Sequence, residues 1–252
     1  MSGQICILGL GPARPEHMTV EATTMLRQAS GQQWECYGLA HARELAFAAN
    51  PELKLKKLDY LYSIPNVSRP SAYADLAKML CRKAEAGHRI LYLVAGSPLF
   101  YNDAVLMIRR EAKRRGIALN MIMGMSFVDI VLQGVHWSGH HGLQLYSAWN
   151  IAKDKVDLNS DAPALLCQLG EFTSGGDAVD ASGSNAILEA LKQTLLMRYS
   201  DDHPVTILSS SGPPDYNAIA QKIALKDLAN HTVPVYSNLF IPSVNQPEEA
   251  DS

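Results

Sequence analysis

The chain has 252 residues, 47% of them hydrophobic and 19% charged, with 17 Gly, 13 Pro and four Cys. That is enough apolar material to close one large core or two ordinary ones, and it excludes a disordered chain, a collagen-like repeat and a disulfide scaffold. A formal net charge of −3 offers no basic field to nucleic acid or an anionic membrane. No apolar run nears the roughly 20 residues of a membrane span, and the start MSGQICILGLGPARP lacks the pattern of a secretory signal. A cytoplasmic protein is expected, with Cys6, Cys36, Cys81 and Cys167 as buried reduced thiols.

Two periodicities alternate along the chain. Residues 5–10 form a short apolar run ended by Gly9, Gly11 and Pro12, the pattern of a buried strand entering a loop. Residues 19–29 space Val20, Ala22, Met25, Leu26 and Ala29 as on a helix, with Thr19 as N-cap. A strand is predicted over 34–39 and a helix over 41–49. Residues 73–86 read as an amphipathic helix (Leu76, Ala77, Leu80, Ala84) stopped by Gly87. A strand over 90–94 runs into Ala95-Gly96-Ser97-Pro98, a helix with a basic outer face follows over 103–115, and a strand over 119–123 ends at Gly124. This rhythm predicts an α/β fold whose N-terminal domain has a parallel sheet covered on both faces.

The pattern breaks at Trp137-Ser138-Gly139-His140-His141-Gly142. Strands are predicted beyond it at 143–146, 164–169, 205–209 and 232–239, with helices at 185–199 and over parts of 216–227. The expected organisation is an α/β domain over 1–140, a smaller α+β domain over 141–242 and a disordered tail over 243–252. Residues 173–184 (TSGGDAVDASGS) are expected to form a mobile loop.

Several stretches suggest chemistry. Gly9-Leu10-Gly11 follows a strand, but a dinucleotide fingerprint needs a third glycine where this chain has Arg14, and two prolines oppose an immediate helix. Another ligand at that loop is the better reading. Gly96-Ser97-Pro98 and Gly124-Met125-Ser126 end two further strands, and ligands of open α/β sheets bind at such carboxyl ends. Tyr60, Tyr62, Arg69 and Tyr73 place three phenols and a guanidinium near a helix start, with Arg69 and Tyr73 four apart. His136, His140 and His141 have no cysteine nearby and read as linker histidines, so no metal is expected. Ser97 and Ser209 to Ser211 lack a nucleophile elbow.

In order, ILGLGPARPEHMT, VAGSPLFY, MGMSFVD, ALLCQLGEF, YSDDHPVTILSSSG and TVPVYSNLFIP resemble the tetrapyrrole methylases, a family of S-adenosylmethionine-dependent methyltransferases. The last three are also similar to the methylase-type domain found fused to MazG pyrophosphohydrolases. The resemblance extends to about Pro242 and implies two domains with the cofactor in the cleft between them, and a homodimer. By matching position it implies cofactor contacts from Pro12, Gly96, Ser97, Leu99, Tyr101, Ser126, Phe127, Gln168, Leu169, Gly212 and Pro213. Ala13 and Arg14 replace the usual Gly-Asp, and Ser97 stands where Asp or His is common. Backbone contacts survive both changes.

One branch of the family, the borosin-type α-N-methyltransferases, methylates peptide backbone amides. Its tyrosine-arginine-tyrosine signature is similar to Tyr60 and Tyr62, Arg69 and Tyr73 here. The resemblance implies Arg69 as the partner of an imidate oxygen, with Tyr62 or Tyr73 as base and the other positioning the peptide. The chain ends in QPEEADS, so the precursor peptide is expected on a separate chain. The alternatives are C-methylation of a tetrapyrrole, which needs carboxylate partners, and a non-catalytic methylase-like domain; Arg109, Arg110, Arg114 and Arg115 lie on one helix and read better as a solvated face than as such partners.

Overall fold

The first half of the chain folds into β1 (Gln4–Gly9), α1 (Val20–Ala29), β2 (Trp34–Gly38), α2 (Ala40–Ala49), β3 (Leu55–Lys57), α3 (Arg69–Glu85), β4 (Arg89–Val94), α4 (Asp103–Arg115) and β5 (Ala118–Ile122). A computed structural model describes residues 3–12, 14–29, 34–62, 67–140, 142–153, 156–170, 184–210, 218–234 and 237–245. The strands pair in parallel in the order β3-β2-β4-β1-β5, with β1 held between β4 and β5. Side-chain alternation explains the layers. Ile5, Ile7, Ile90, Tyr92 and Val94 pack with Leu76, Leu80, Ala84 and Ile108 of α3 and α4, while Cys6, Leu8, Leu91 and Leu93 face Leu26, Ala42 and Leu45 of α1 and α2. Burial of both faces accounts for the unbroken apolar runs ICIL and ILYLV.

Local signals set most boundaries. The Thr19 hydroxyl accepts the Ala22 amide at 3.1 Å and caps α1. The positive φ of Gly116, 67°, ends α4. Helix α3 starts four residues before its predicted first residue, because Ser68 caps it and Pro70 occupies its first turn.

The chain divides into two compact units, Met1–Asp129 and Ile130–Ser252. Helix α5 (Phe127–Gln133) runs through the division. The second unit contains β6 (Gln144–Ser147), α6 (Ala148–Ala152), β7 (Ala164–Cys167), α7 (Ser184–Leu195), β8 (Pro204–Ser210), β9 (Ala218–Ala224) and β10 (Asn238–Ile241). Its sheet order is β6-β7-β10-β8-β9, parallel between β6 and β7 and antiparallel elsewhere. Leu166, Val205, Ile207 and Leu239 of the sheet share a core with Ile151, Leu188, Leu191 and Leu195 of the helices.

Two expectations are corrected here. The helix predicted within 216–227 is instead β9 followed by a 3-10 helix, Leu225–Asn230, because a seven-residue antiparallel ladder with β8 outweighs the helix preference of its alanines. The strand predicted over 232–239 begins only at Asn238; Pro234 has no N–H for a ladder. Residues 173–183 of the expected loop and residues 246–252 of the expected tail lie outside the described residues.

The amino edge of the first sheet carries a charge cluster. The Glu35 carboxylate accepts from Lys56 Nζ at 2.6 Å, the Tyr37 hydroxyl at 2.7 Å and Lys83 Nζ at 3.3 Å, and contacts His88. Burial alone would raise the Glu35 carboxyl, but these hydrogen bonds, from Lys56 first, hold it down at about 2. A carboxyl depressed in the folded state stabilises above its unfolded value, and that contribution is lost as pH falls from about 4.5 through about 2. Glu35→Gln should therefore cost on the order of 1–2 kcal/mol at pH 7 and progressively less near pH 2, by denaturant titration at both. An equal loss at both pH values would show that the charge is not what stabilises.

Candidate functional site

Three loops at the carboxyl edge of the parallel sheet are locked together by main chain. Gly96 N–H donates to the Gly11 carbonyl at 2.6 Å, and Leu10 N–H donates to Val94 at 2.9 Å. A Cβ on Gly9 would stand 2.5 Å from the Gly124 nitrogen, and one on Gly124 would stand 2.5 Å from the Gly96 oxygen. Only residues without a side chain allow the ends of β1, β4 and β5 to meet this closely. The Thr19 hydroxyl adds a bond to the Met123 carbonyl at 3.4 Å.

Gly96 differs from its neighbours. Its φ is +85°, and a Cβ there would meet nothing within 4 Å. The backbone is thus presented to open space at the end of a central strand, where a ligand can approach it. Ser97 and Ser126 begin the two loops beside it, both buried, and each hydroxyl accepts an amide of its own loop, Leu99 N–H at 3.3 Å and Val128 N–H at 3.2 Å. The Ser126 amide donates to Asp129 Oδ2 at 3.1 Å. These serines fix loops and are already engaged. Tyr101 has φ +47°, uncommon for a side-chain-bearing residue, and its ring lies 6.2 Å from that of Phe127. Leu99, Phe100, Met123 and Met125 are exposed on the same loops, with Leu99 at 56%. An apolar rim around exposed main chain suits a ligand with a flat, weakly polar part.

On the loop after β1, Pro12 is half-buried. His17 Nδ1 accepts the Arg14 amide at 3.3 Å, and the His17 backbone packs against Gly11. Burial, then the Arg14 charge, lowers the His17 pKa below its usual 6.5. Accepting that amide at Nδ1 requires a neutral ring with its proton on Nε2.

The same edge carries the predicted catalytic residues. The last turn of α3, at Ala84, packs against Gly3 at the start of β1, so α3 runs against the strands and its first turn lies at the carboxyl edge. Arg69 is the first residue of α3 and Tyr73 lies one turn on, so they share a face. Tyr73 is less polar in its surroundings than its sequence neighbourhood suggests: its ring packs on the core beside Tyr92, whose hydroxyl is pushed up by burial and by the nearby Tyr73 phenol. Tyr62 ends a 3-10 helix, Asp59–Tyr62, anchored where Asp59 Oδ1 accepts the first amide of α2 at 3.0 Å. The Tyr62 side chain lies outside the described residues, and Tyr60 is exposed.

The last two arginines of α4 lie elsewhere. Gly116 leads from α4 straight into β5, so the basic end of the helix is at the amino edge. Arg114 and Arg115 are bound there by Glu111, and Arg115 also by Glu85 at 2.8 Å. Burial pushes the thiols of Cys6, Cys36 and Cys81 up to about 11, so they are protonated packing groups.

In the second unit, β7 ends at Cys167 because Gln168 turns left-handed, with φ +60°. The predicted strand over 164–169 is shortened for that reason. Leu169 is fully buried, and its amide donates to the Ser237 carbonyl at 2.9 Å. The Gln168 amide donates to Asn238 Oδ1 at 3.3 Å. Asn238 carried no sequence signal; only pairing across 70 residues reveals it. Gly212 and Pro213 lie outside the described residues.

The family profile described as Tetrapyrrole (Corrin/Porphyrin) Methylases matches residues 4–225. The chain belongs to that family. This methylase is similar over 96% of its length to 95% of uroporphyrin-III-C-methyltransferase from Thermus thermophilus, at 17% identity and TM-score 0.67. It is also similar to cobalt precorrin-4 methyltransferase, a cobalamin biosynthetic enzyme, at 15% identity and TM-score 0.64, covering 95% of this chain and 94% of that one. A third similar structure is a uroporphyrin-III C-methyl transferase from Thermus thermophilus complexed with S-adenosyl homocysteine, at 15% identity and TM-score 0.62, covering 95% and 97%. No curated protein sequence matches this methylase significantly. Members of the family are S-adenosylmethionine-dependent methyltransferases, and this chain is one of them.

Proposed function

We propose that this methylase transfers methyl groups from S-adenosylmethionine to backbone amide nitrogens of a peptide carried on a separate chain. The supporting observation is that Arg69 and Tyr73 share one helical turn at the sheet edge where the glycine loops expose main chain. When bound, the donor supplies a sulfonium-activated methyl group. Pro12, Gly96, Ser97, Leu99, Tyr101, Ser126 and Phe127, with Gln168, Leu169, Gly212 and Pro213, are the proposed residues that hold it. The open face of Gly96 and the apolar rim fit such a ligand, because both ask for main-chain approach and dispersion contact rather than fixed charge.

An amide nitrogen is a poor nucleophile because its lone pair is delocalised into the carbonyl. Loss of its proton puts negative charge on the oxygen. The Arg69 guanidinium, always protonated, holds that oxygen in the proposed mechanism, and the Tyr62 or Tyr73 side chain, acting as phenolate, takes the proton and becomes the phenol. The protein otherwise has mainly to orient the nucleophile. Homodimerisation and a cytoplasmic location belong to the same proposal.

A second reading keeps the donor and replaces the amide by a tetrapyrrole carbon. Its support is the family itself and the acceptors named for the similar structures. Arg114 and Arg115, at the amino edge and paired with Glu111 and Glu85, are removed as carboxylate partners. The test is incubation with S-adenosylmethionine and, separately, uroporphyrinogen III and the short peptides encoded beside this gene, read by mass spectrometry. One methylene mass per transfer on a peptide backbone supports the amide reading. Methylation of the porphyrinogen alone overturns it.

A further inference from the structure

Gln168 is one of three non-glycine residues with positive φ among the described residues, and β-sheet pairing does not account for it. A left-handed conformation at a side-chain-bearing residue is held only where its surroundings over-determine it. Here the start of β10 supplies the restraint. Asn238 is 4% exposed and is placed by its ladder to Leu208; its side-chain oxygen accepts the Gln168 amide at 3.3 Å. The preceding carbonyl, Ser237, accepts the Leu169 amide at 2.9 Å and the Gly170 amide at 3.4 Å. Three consecutive amides are thereby fixed from one strand start, and two of those three bonds are main chain to main chain. Only the bond to Gln168 depends on the identity of a side chain.

We infer that Asn238 is a positioning residue for the methyl donor: by holding the Gln168 amide it sets the left-handed turn whose main chain contacts the cofactor. This rests on the reading that Gln168 and Leu169 are cofactor contacts. An aliphatic residue at 238 removes this restraint on the amide and lets Gln168 relax toward ordinary φ, which moves the Gln168 carbonyl and the Leu169 amide together. Glycine at 168 occupies the left-handed region unaided, so it removes the need for the asparagine.

The experiment is calorimetric titration of the full-length protein with S-adenosylhomocysteine, together with the KM for S-adenosylmethionine, kcat and melting temperature. Asn238→Ala should weaken binding by about tenfold or more and raise KM with little change in kcat. Adding Gln168→Gly to Asn238→Ala should bring binding back to within about threefold of the unmutated protein, a recovery that lost packing at 238 would not show. Asn238→Asp keeps an acceptor oxygen and should bind within about threefold; it serves if the alanine variant does not fold. Undiminished binding by Asn238→Ala, or no recovery in the double variant, overturns the inference. So does an Asp variant that folds normally but loses tenfold in affinity. Unmutated protein that binds no S-adenosylhomocysteine overturns the cofactor reading itself, a result distinguishable from all of these.

Discussion

Arg69→Ala should remove methyl transfer to peptide amides, with a rate loss on the order of a hundred- to a thousandfold, while leaving S-adenosylhomocysteine affinity unchanged. The separation follows from position. Arg69 opens α3, whereas the exposed main chain proposed to hold the donor belongs to the loops after β1, β4 and β5. In the proposed mechanism the lost group is a cation facing charge that develops only as the amide gives up its proton, so the deficit falls on kcat. Arg69→Lys should rescue little, because a point-like ammonium cannot reproduce the planar fork. Tyr73→Phe keeps the ring that packs beside Tyr92 and removes only the hydroxyl, so its rate separates base from scaffold. Time-resolved mass spectrometry and calorimetry measure the two halves. An Arg69→Ala enzyme with undiminished turnover would remove the reason for choosing an amide acceptor.

Gly124→Ala should disrupt the site from the other side. Its Cβ would lie 2.5 Å from the Gly96 oxygen, 2.7 Å from the Gly9 carbonyl carbon and 2.8 Å from the Gly11 nitrogen. All three atoms are backbone, so no rotamer change relieves the overlap and the strand ends must separate. Overpacking of this kind costs about 1–3 kcal/mol or more, and cofactor binding should be lost with it. Gly96→Ala is the contrasting variant. It meets no atom within 4 Å, and its cost is the positive φ, about 1–2 kcal/mol. Its loss of S-adenosylhomocysteine affinity should exceed its loss of stability, because the new methyl enters the space beside the exposed backbone. Melting curves paired with calorimetry distinguish the two patterns. Full affinity in Gly96→Ala would show that this space is not used by the ligand.

Much of the first unit is set by its own sequence. The short apolar runs ICIL and ILYLV, each ended by a glycine loop, read as doubly covered strands, and Thr19 and Gly116 bound their helices by local hydrogen bonding and backbone freedom. The motifs at Gly96 and Gly124, and the four-residue spacing of Arg69 and Tyr73, are equally local, which is why the family and the shared helical face are legible without coordinates.

Other features depend on partners distant in the chain. Residues 218–224 form a strand only because β8 offers a full ladder, against the preference of three alanines. Residue 168 turns left-handed under a restraint that arrives from residue 238. The glycines at 9 and 124 resemble ordinary turn residues in sequence, yet they are required because strand ends converge on one another. The basic face of α4 looks available for acidic ligands until pairing with Glu111 and Glu85 at the opposite edge engages part of it. Periodicity and caps act within a few residues and are written in order along the chain. Strand pairing, close backbone approach and ion pairing join residues that only folding brings together.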